Sequence, residues 1–180
     1  TACLSLALGI GVNAALFSLL NNLLLRPLPV GRPQDLVKVS DGRDELRYSI
    51  YDQLHRHTRT LASVIVMTRQ MPTPNRVVVR GAEQAAFTQL VSDDFFDVLG
   101  GPAALGRLFR TPAPGTASEA AAVISDAFWR TTFGGDPAAI GMTIRVFNRD
   151  VTIVGIVPPR FRGVDVDFPV DVWTPFDYVI

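Results

Sequence analysis

The sequence predicts an α+β domain on a mixed sheet, preceded by a transmembrane helix. Three observations carry this expectation. Residues 1–25 contain no charged side chain. Beyond them, stretches of β character outnumber helical ones and mostly come in hairpin pairs. Two strand-to-helix steps, at Ser92 and Ser125, interrupt the hairpins, so parallel and antiparallel neighbours are both expected.

The chain has 180 residues, about one domain. Hydrophobic residues make up 48% and charged ones 19%, an apolar balance that is concentrated at the N-terminus. Residues 1–25 read TACLSLALGIGVNAALFSLLNNLLL. As a helix they span about 37 Å, enough to cross a bilayer core of about 30 Å with tilt. The first charge is Arg26, and Pro27 and Pro29 then end the helix where a membrane boundary would fall. A signal peptide would show a basic start and a shorter apolar run, and neither is seen. The expected division is a transmembrane helix over 1–26, truncated at its N-terminus, and an extracytoplasmic domain over 27–180. Ala7, Gly11 and Ala15 recur every four residues, a spacing that lets a second helix approach closely. Gly and Ala are also common in such helices, and spacing alone does not separate the two readings.

The remaining elements follow from local signals. Residues 36–40 read as a short strand, and Ser49 opens a helix through His57. Residues 63–68 are apolar and β-branched, hence a strand that Pro72 and Pro74 break off. Residues 77–80 form another strand ended by Gly81, and residues 85–91 are expected to pair with it. Ser92 is a candidate N-cap, with Asp93 and Asp94 in the favourable first turn and Gly100 as the stop. Residues 111–119 have loop composition, and residues 120–124 read as a buried strand. Ser125 or Asp126 caps a helix through Phe133, closed by Gly134 and Gly135. Residues 142–147 and 151–157 form a hairpin around Asn148, Arg149 and Asp150, and residues 173–176 are a last strand.

Chemistry is sparse. A phosphate cradle needs glycines between a strand and a helix N-terminus. Gly134 and Gly135 instead follow a helix, so they turn the chain. Asp52, His55 and His57 are the nearest approach to a catalytic cluster, but with two His in the chain no third is available for a zinc site. No Gly-x-Ser-x-Gly elbow occurs. A solvated helix face is the simpler reading. Asp165, Asp167 and Asp171 read as a polar strand edge. Cys3 is the only cysteine, which rules out an internal disulfide or a cysteine metal cluster. Lys+Arg and Asp+Glu both number 17. The basic residues stand singly, as at Arg69, Arg76, Arg80, Arg107, Arg110, Arg145 and Arg149, so nucleic acid is not an expected partner. No cofactor, metal or enzymatic activity is expected.

Three stretches together resemble one family. They are LALGIGVNAALFSLLNNLLLRPLP over 6–29, VSDDFFDVLGGPAALGRLF over 91–109, and AVISDAFWRTTFGGDPAAIGMTIRVFNRDVTIVGIVPPRFRG over 122–163. They look like the first transmembrane helix and periplasmic core domain of MacB-like, FtsX-type ABC transporter permeases. Within that family they look most like acidobacterial duplicated orphan permeases. Residues 41–90 match least. The resemblance implies a permease with four transmembrane helices, a large extracytoplasmic domain between the first two, and a separate ABC ATPase. It implies a permease dimer in the inner membrane, in contact with lipid. It also implies mechanical transmission of ATP-driven motion, in relatives that export macrolides, peptides or lipoproteins or regulate cell-wall hydrolases. The sequence has no Walker motif and no later transmembrane segment, as expected of a permease fragment. The motif positions are Phe95, Phe96, Leu99, Gly100, Gly106, Arg107, Trp129, Phe133, Gly134, Asp136, Pro137, Gly141 and Gly155, expected to be structural. One departure stands out. Family members often carry Asn-Gly at the hairpin turn, where this chain has Asn148-Arg149, so a different or longer turn is expected.

Two other readings compete. A single-pass anchored binding or sensor domain would lack further membrane helices. A membrane-anchored hydrolase would need His55 as a base within a cleft. For partner contact, the loop 111–119 and the segment 160–168 are the exposed candidates.

Overall fold

A computed structural model of the chain describes residues 10–14, 16, 17, 35–37, 39, 51, 53, 54, 57, 61–69, 71–99, 101–113, 115–161, 163, 164 and 169–179. The sheet order is β2-β1-β6-β7-β5-β8-β3, with β4 paired to β7 off this path. The strands are β1 (Asn75–Val79), β2 (Ala82–Ala86), β3 (Thr88–Val91), β4 (Leu105–Gly106), β5 (Ala121–Ile124), β6 (Thr143–Val146), β7 (Arg149–Ile156) and β8 (Val172–Pro175). The helices that accompany this sheet are α1 (Phe95–Leu99), α2 (Asp126–Phe133) and α3 (Phe176–Val179). Strand pairs β3–β8 and β5–β7 are parallel and the others antiparallel, which is the expected mixed α+β sheet.

Period-two alternation sorts the side chains into two cores. In β5, Ala122 and Ile124 join Val77, Ile144, Ile153 and the α2 residues Phe128 and Phe133. Ala121 and Val123 point the other way, toward Phe95, Phe96, Leu99, Phe109 and Trp173. All four β5 residues are therefore buried, which explains their unbroken apolar run. β6 has a core on one face only, and its Thr143 and Arg145 are exposed.

Consecutive strands β2 and β3 occupy opposite ends of the sheet order, although Phe87 alone separates them. One residue spans only about 3.5 Å, so the two sheet edges must converge there. The expected single strand over 85–91 is thus two strands with different partners. Asp171 fixes the break. Its Oδ2 accepts the Phe87 N–H at 2.9 Å, and the Phe87 carbonyl accepts the N–H groups of Asp171 and Val172.

Other expectations are corrected locally. Residues 36, 37 and 39 are not in a strand, while Lys38 and Ser40 lie outside the described residues. The predicted strand over 63–68 reduces to one bridge, Met67 to Val91, flanked by Thr68 N–H to Leu90 and Ser92 N–H to Val66 bonds. The Ser92 hydroxyl does not cap α1; it accepts the Val66 N–H at 3.1 Å. The β6–β7 turn is a two-residue loop at Phe147-Asn148, because Val146 pairs with Arg149. Both loop residues have positive φ, 49° and 61°, as a type I′ turn requires. Arg149 and Asp150 belong to β7, so the turn is shifted rather than lengthened.

In the segment 49–57, residues 51, 53, 54 and 57 are helical and the others lie outside the described residues. Residues 10–14, 16 and 17 are helical and all exposed. Among the described residues no helix is long and apolar enough to cross a membrane. The rest of 1–26, Ala7 and Ala15 included, lies outside them.

Candidate functional site

Of the residues nominated for chemistry, His57 and Asp171 lie among the described residues. His57 is an exposed helical residue whose Nδ1 meets the Gln53 carbonyl oxygen at 3.1 Å, one turn back. Asp52, His55, Asp165 and Asp167 lie outside the described residues. Asp171 is a bracket: besides holding Phe87, its carbonyl accepts the Ser125 N–H at 2.9 Å, tying β8 to the start of α2. Burial raises its carboxyl above the ordinary value, against the pull of its bonds from Phe87 and Ser125. No group of three His, Cys, Asp or Glu among the described residues is placed to hold a metal ion.

Several family-motif positions lie in caps, turns and the two cores. Ser125 accepts the Phe128 N–H at 3.0 Å and starts α2. Gly134 ends α2 in the left-handed region, its N–H returning to the Trp129 carbonyl. The glycines thus lie at a helix C-terminus, where carbonyls rather than N–H groups face outward, and an anion would meet the wrong end of the dipole. Trp129 Nε1 donates to the Asp136 carbonyl at 2.8 Å, and Asp136 Oδ1 accepts the Ala138 N–H at 2.9 Å, with Pro137 at the first position of that turn. Gly141 N–H donates to the Ile153 carbonyl. Phe133 sits in the first core, and Phe95, Phe96 and Leu99 in the second.

Gly106 and Gly155 explain each other. They are register partners where β4 crosses β7. A β-carbon on Gly155 would strike the Arg107 carbonyl oxygen, and one on Gly106 would strike the Val154 carbonyl oxygen. Arg107 leaves this crossing with its guanidinium paired to Glu119. Gly11 is exposed and has open space where a β-carbon would stand, and Gly100 lies outside the described residues.

A polar cluster that sequence reading missed surrounds the start of α1. Ser118 donates to Asp93 at 2.6 Å, and Ser63 donates to Asp94 at 3.4 Å. Burial pushes the Tyr51 hydroxyl up to about 12; the charges of Asp94, Asp177 and Asp93 add to the rise, and a hydrogen bond with Ser92 opposes it. Burial also raises the Asp93 carboxyl. Five separate stretches, at Tyr51, Ser63, Ser92–Asp94, Ser118 and Asp177, meet here, so no local pattern announced it. Bonded serines and a half-buried tyrosine hold these segments together.

Two concavities stand out among the described residues. A shallow one of about 390 Å³ lies over the β4–β7 crossing, between Gly106, Ile140, Gly141 and Thr152. A narrower one of about 240 Å³ lies between Phe96, Pro102, Leu108, Pro158 and Phe161, with Arg160 on its wall. The architecture on view is a curled sheet with structural glycines, paired surface charges and small apolar hollows.

The family model of the MacB-like periplasmic core domain matches residues 1–179. The chain belongs to that family. A solved structure agrees on the fold: the periplasmic region of MacB from Actinobacillus actinomycetemcomitans aligns with a TM-score of 0.54 at 17% identity, over 75% of this chain and 57% of that one. The extracellular domain of the noncanonic ABC-type transporter YknZ from Gram-positive bacteria aligns at 0.44 and 14% identity, over 64% of this chain and 55% of that one. The alignments of this MacB-like chain span little more than half the length of these structures. No curated protein matches it significantly.

Proposed function

We propose that this chain is part of the permease subunit of a MacB/FtsX-type ABC transporter, in the acidobacterial orphan-permease subgroup. In this reading, residues 1–26 form a membrane helix. Residues 27–180 form an extracytoplasmic domain at the cell membrane that transmits ATPase-driven motion for export or partner regulation. One observation carries it: a single family match runs through both the charge-free segment and the sheet domain. The N-terminal helical residues support the membrane part. Ile10 is 61% exposed and Phe17 66%, so most of their apolar surface is left uncovered. Lipid, or the small-residue face of another helix at Ala7, Gly11 and Ala15, would cover it. The close packing of the motif glycines and aromatics suits a mechanical transmitter. A separate ABC ATPase and a second permease copy are the partners in this reading, and no cofactor is called for.

The test is to purify the full-length gene product from membranes. An ABC ATPase should copurify, and its ATP hydrolysis should change when the permease is reconstituted with it. Membrane association without an ATPase would overturn the transporter reading in favour of a single-pass anchored binding domain.

A further inference from the structure

The 240 Å³ hollow beside α1 has three properties that belong together. Its walls are almost wholly apolar, made by Phe96, Leu108, Val157 and Phe161 with the rings of Pro102 and Pro158. Its size is below the range of about 300–1,000 Å³ usual for small-molecule sites, and fits one large side chain. Arg160 lines it, is exposed, and makes no hydrogen bond or ion pair with a described residue. By contrast, Arg76, Arg107, Arg130 and Arg145 each hold a carboxylate within the chain.

Arg160 is also firmly placed. The Phe161 N–H donates to the Pro158 carbonyl at 2.9 Å, closing a turn with Pro159 and Arg160 at its centre. Pro159 fixes its own φ. Phe161 is anchored against Trp173 at 5.6 Å and against Phe96 at 6.0 Å. The backbone on both sides of Arg160 is therefore held while its charge stays available. A preordered site loses less entropy on binding than a mobile one.

We propose that this hollow is a docking slot for a partner protein segment in which an aromatic side chain lies next to a carboxylate. The ring enters the hollow beside Phe96 and Phe161, where edge contacts to aromatic walls are available. The carboxylate pairs with the Arg160 guanidinium, which presents two parallel donors to it. The slot does not depend on the transporter reading, since it is a property of the folded domain.

The probes are N-acetylphenylalanine, which carries both groups, its neutral amide N-acetylphenylalaninamide, and octanoate. The full chain in lipid nanodiscs is titrated with each and followed through the amide signals of Leu108, Val157 and Phe161. N-acetylphenylalanine is expected to shift these signals, with the amide binding roughly two- to fivefold more weakly, the scale of one exposed charge pair. Arg160→Ala should erase that difference without unfolding the domain, because the side chain is exposed. Equal binding of acid and amide, or a preference that survives Arg160→Ala, would overturn the proposal. So would shifts with octanoate alone, which would make the occupant an acyl chain. Concentration-dependent shifts of the same signals without any probe would make it a second copy of this chain, and would also overturn it.

Discussion

At the residue scale, backbone proximity decides more than chemistry does. Gly155 has no special φ; it is small because the chain at Arg107 lies directly on it. The obstructing atom is backbone, so it cannot rotate away. Gly155→Ala should destabilise the domain by at least the roughly 1–3 kcal/mol of ordinary overpacking, read as a lowered denaturation midpoint. An unchanged midpoint would mean that the β4 crossing is not formed. Phe147 has the opposite problem. It is 41% exposed and holds a φ of 49° that favours Asn or Gly. Phe147→Asn should raise stability by about 1 kcal/mol, by relieving left-handed strain at a type I′ position. A lower melting temperature would show that the ring makes contacts outweighing that strain.

At the element scale, α2 has the most complete local specification. Its N-cap is Ser125, its first turn carries Asp126, and its C-cap is Gly134. Asp126 also pairs with Arg130 one turn later, at 2.8 Å. Ser125→Ala removes the acceptor for the Phe128 N–H and should cost about 1 kcal/mol, measured by urea denaturation. A loss below a few tenths would mean that water replaces the cap fully. The hairpin β6–β7 adds Arg145 against Asp150, register partners at 2.7 Å, and the hydrogen bond from Arg145 holds the Asp150 carboxyl below its ordinary value. That pair is solvent-exposed, so it sets register more than stability.

At the scale of the whole molecule, the convergence of β2 and β3 at Phe87 curls the sheet, and the cluster around Asp93 ties distant stretches to α1. Burial raises the Asp93 carboxyl above 3.8 in the folded chain, so the native state holds that proton more tightly than the unfolded one. Its favourable contribution is complete below pH 3.8 and is lost as the pH rises through the raised value. Asp93→Asn is neutral throughout. The stability of the variant relative to the parent should therefore climb with pH from 3.8 up to the raised value and then level off. Denaturation midpoints at a series of pH values give the curve; a flat difference would show that the Ser118 hydrogen bond offsets the effect of burial fully.

Read alone, the chain specifies the elements whose signals lie within a few residues: the capped helix α2, the buried strand β5, the β6–β7 hairpin and the mixed α+β class. Caps and alternation act over a turn or a strand, so they survive being read locally. The three family stretches were equally legible, because motif and order are properties of the chain. Which edges meet is settled by long-range packing. Packing splits residues 85–91 at Phe87, because Asp171, 84 residues away, takes the Phe87 N–H. It reduces residues 63–68 to one bridge, because the Ser92 hydroxyl bonds Val66 instead of capping α1. It moves the hairpin turn to Phe147-Asn148, because pairing of Val146 with Arg149 outweighs the turn preference of the residues. It also sets Arg160 beside an apolar hollow built from three separate stretches. Each of these depends on a partner far along the chain or across the sheet, and strand pairing and burial are won by such partners rather than by local preference.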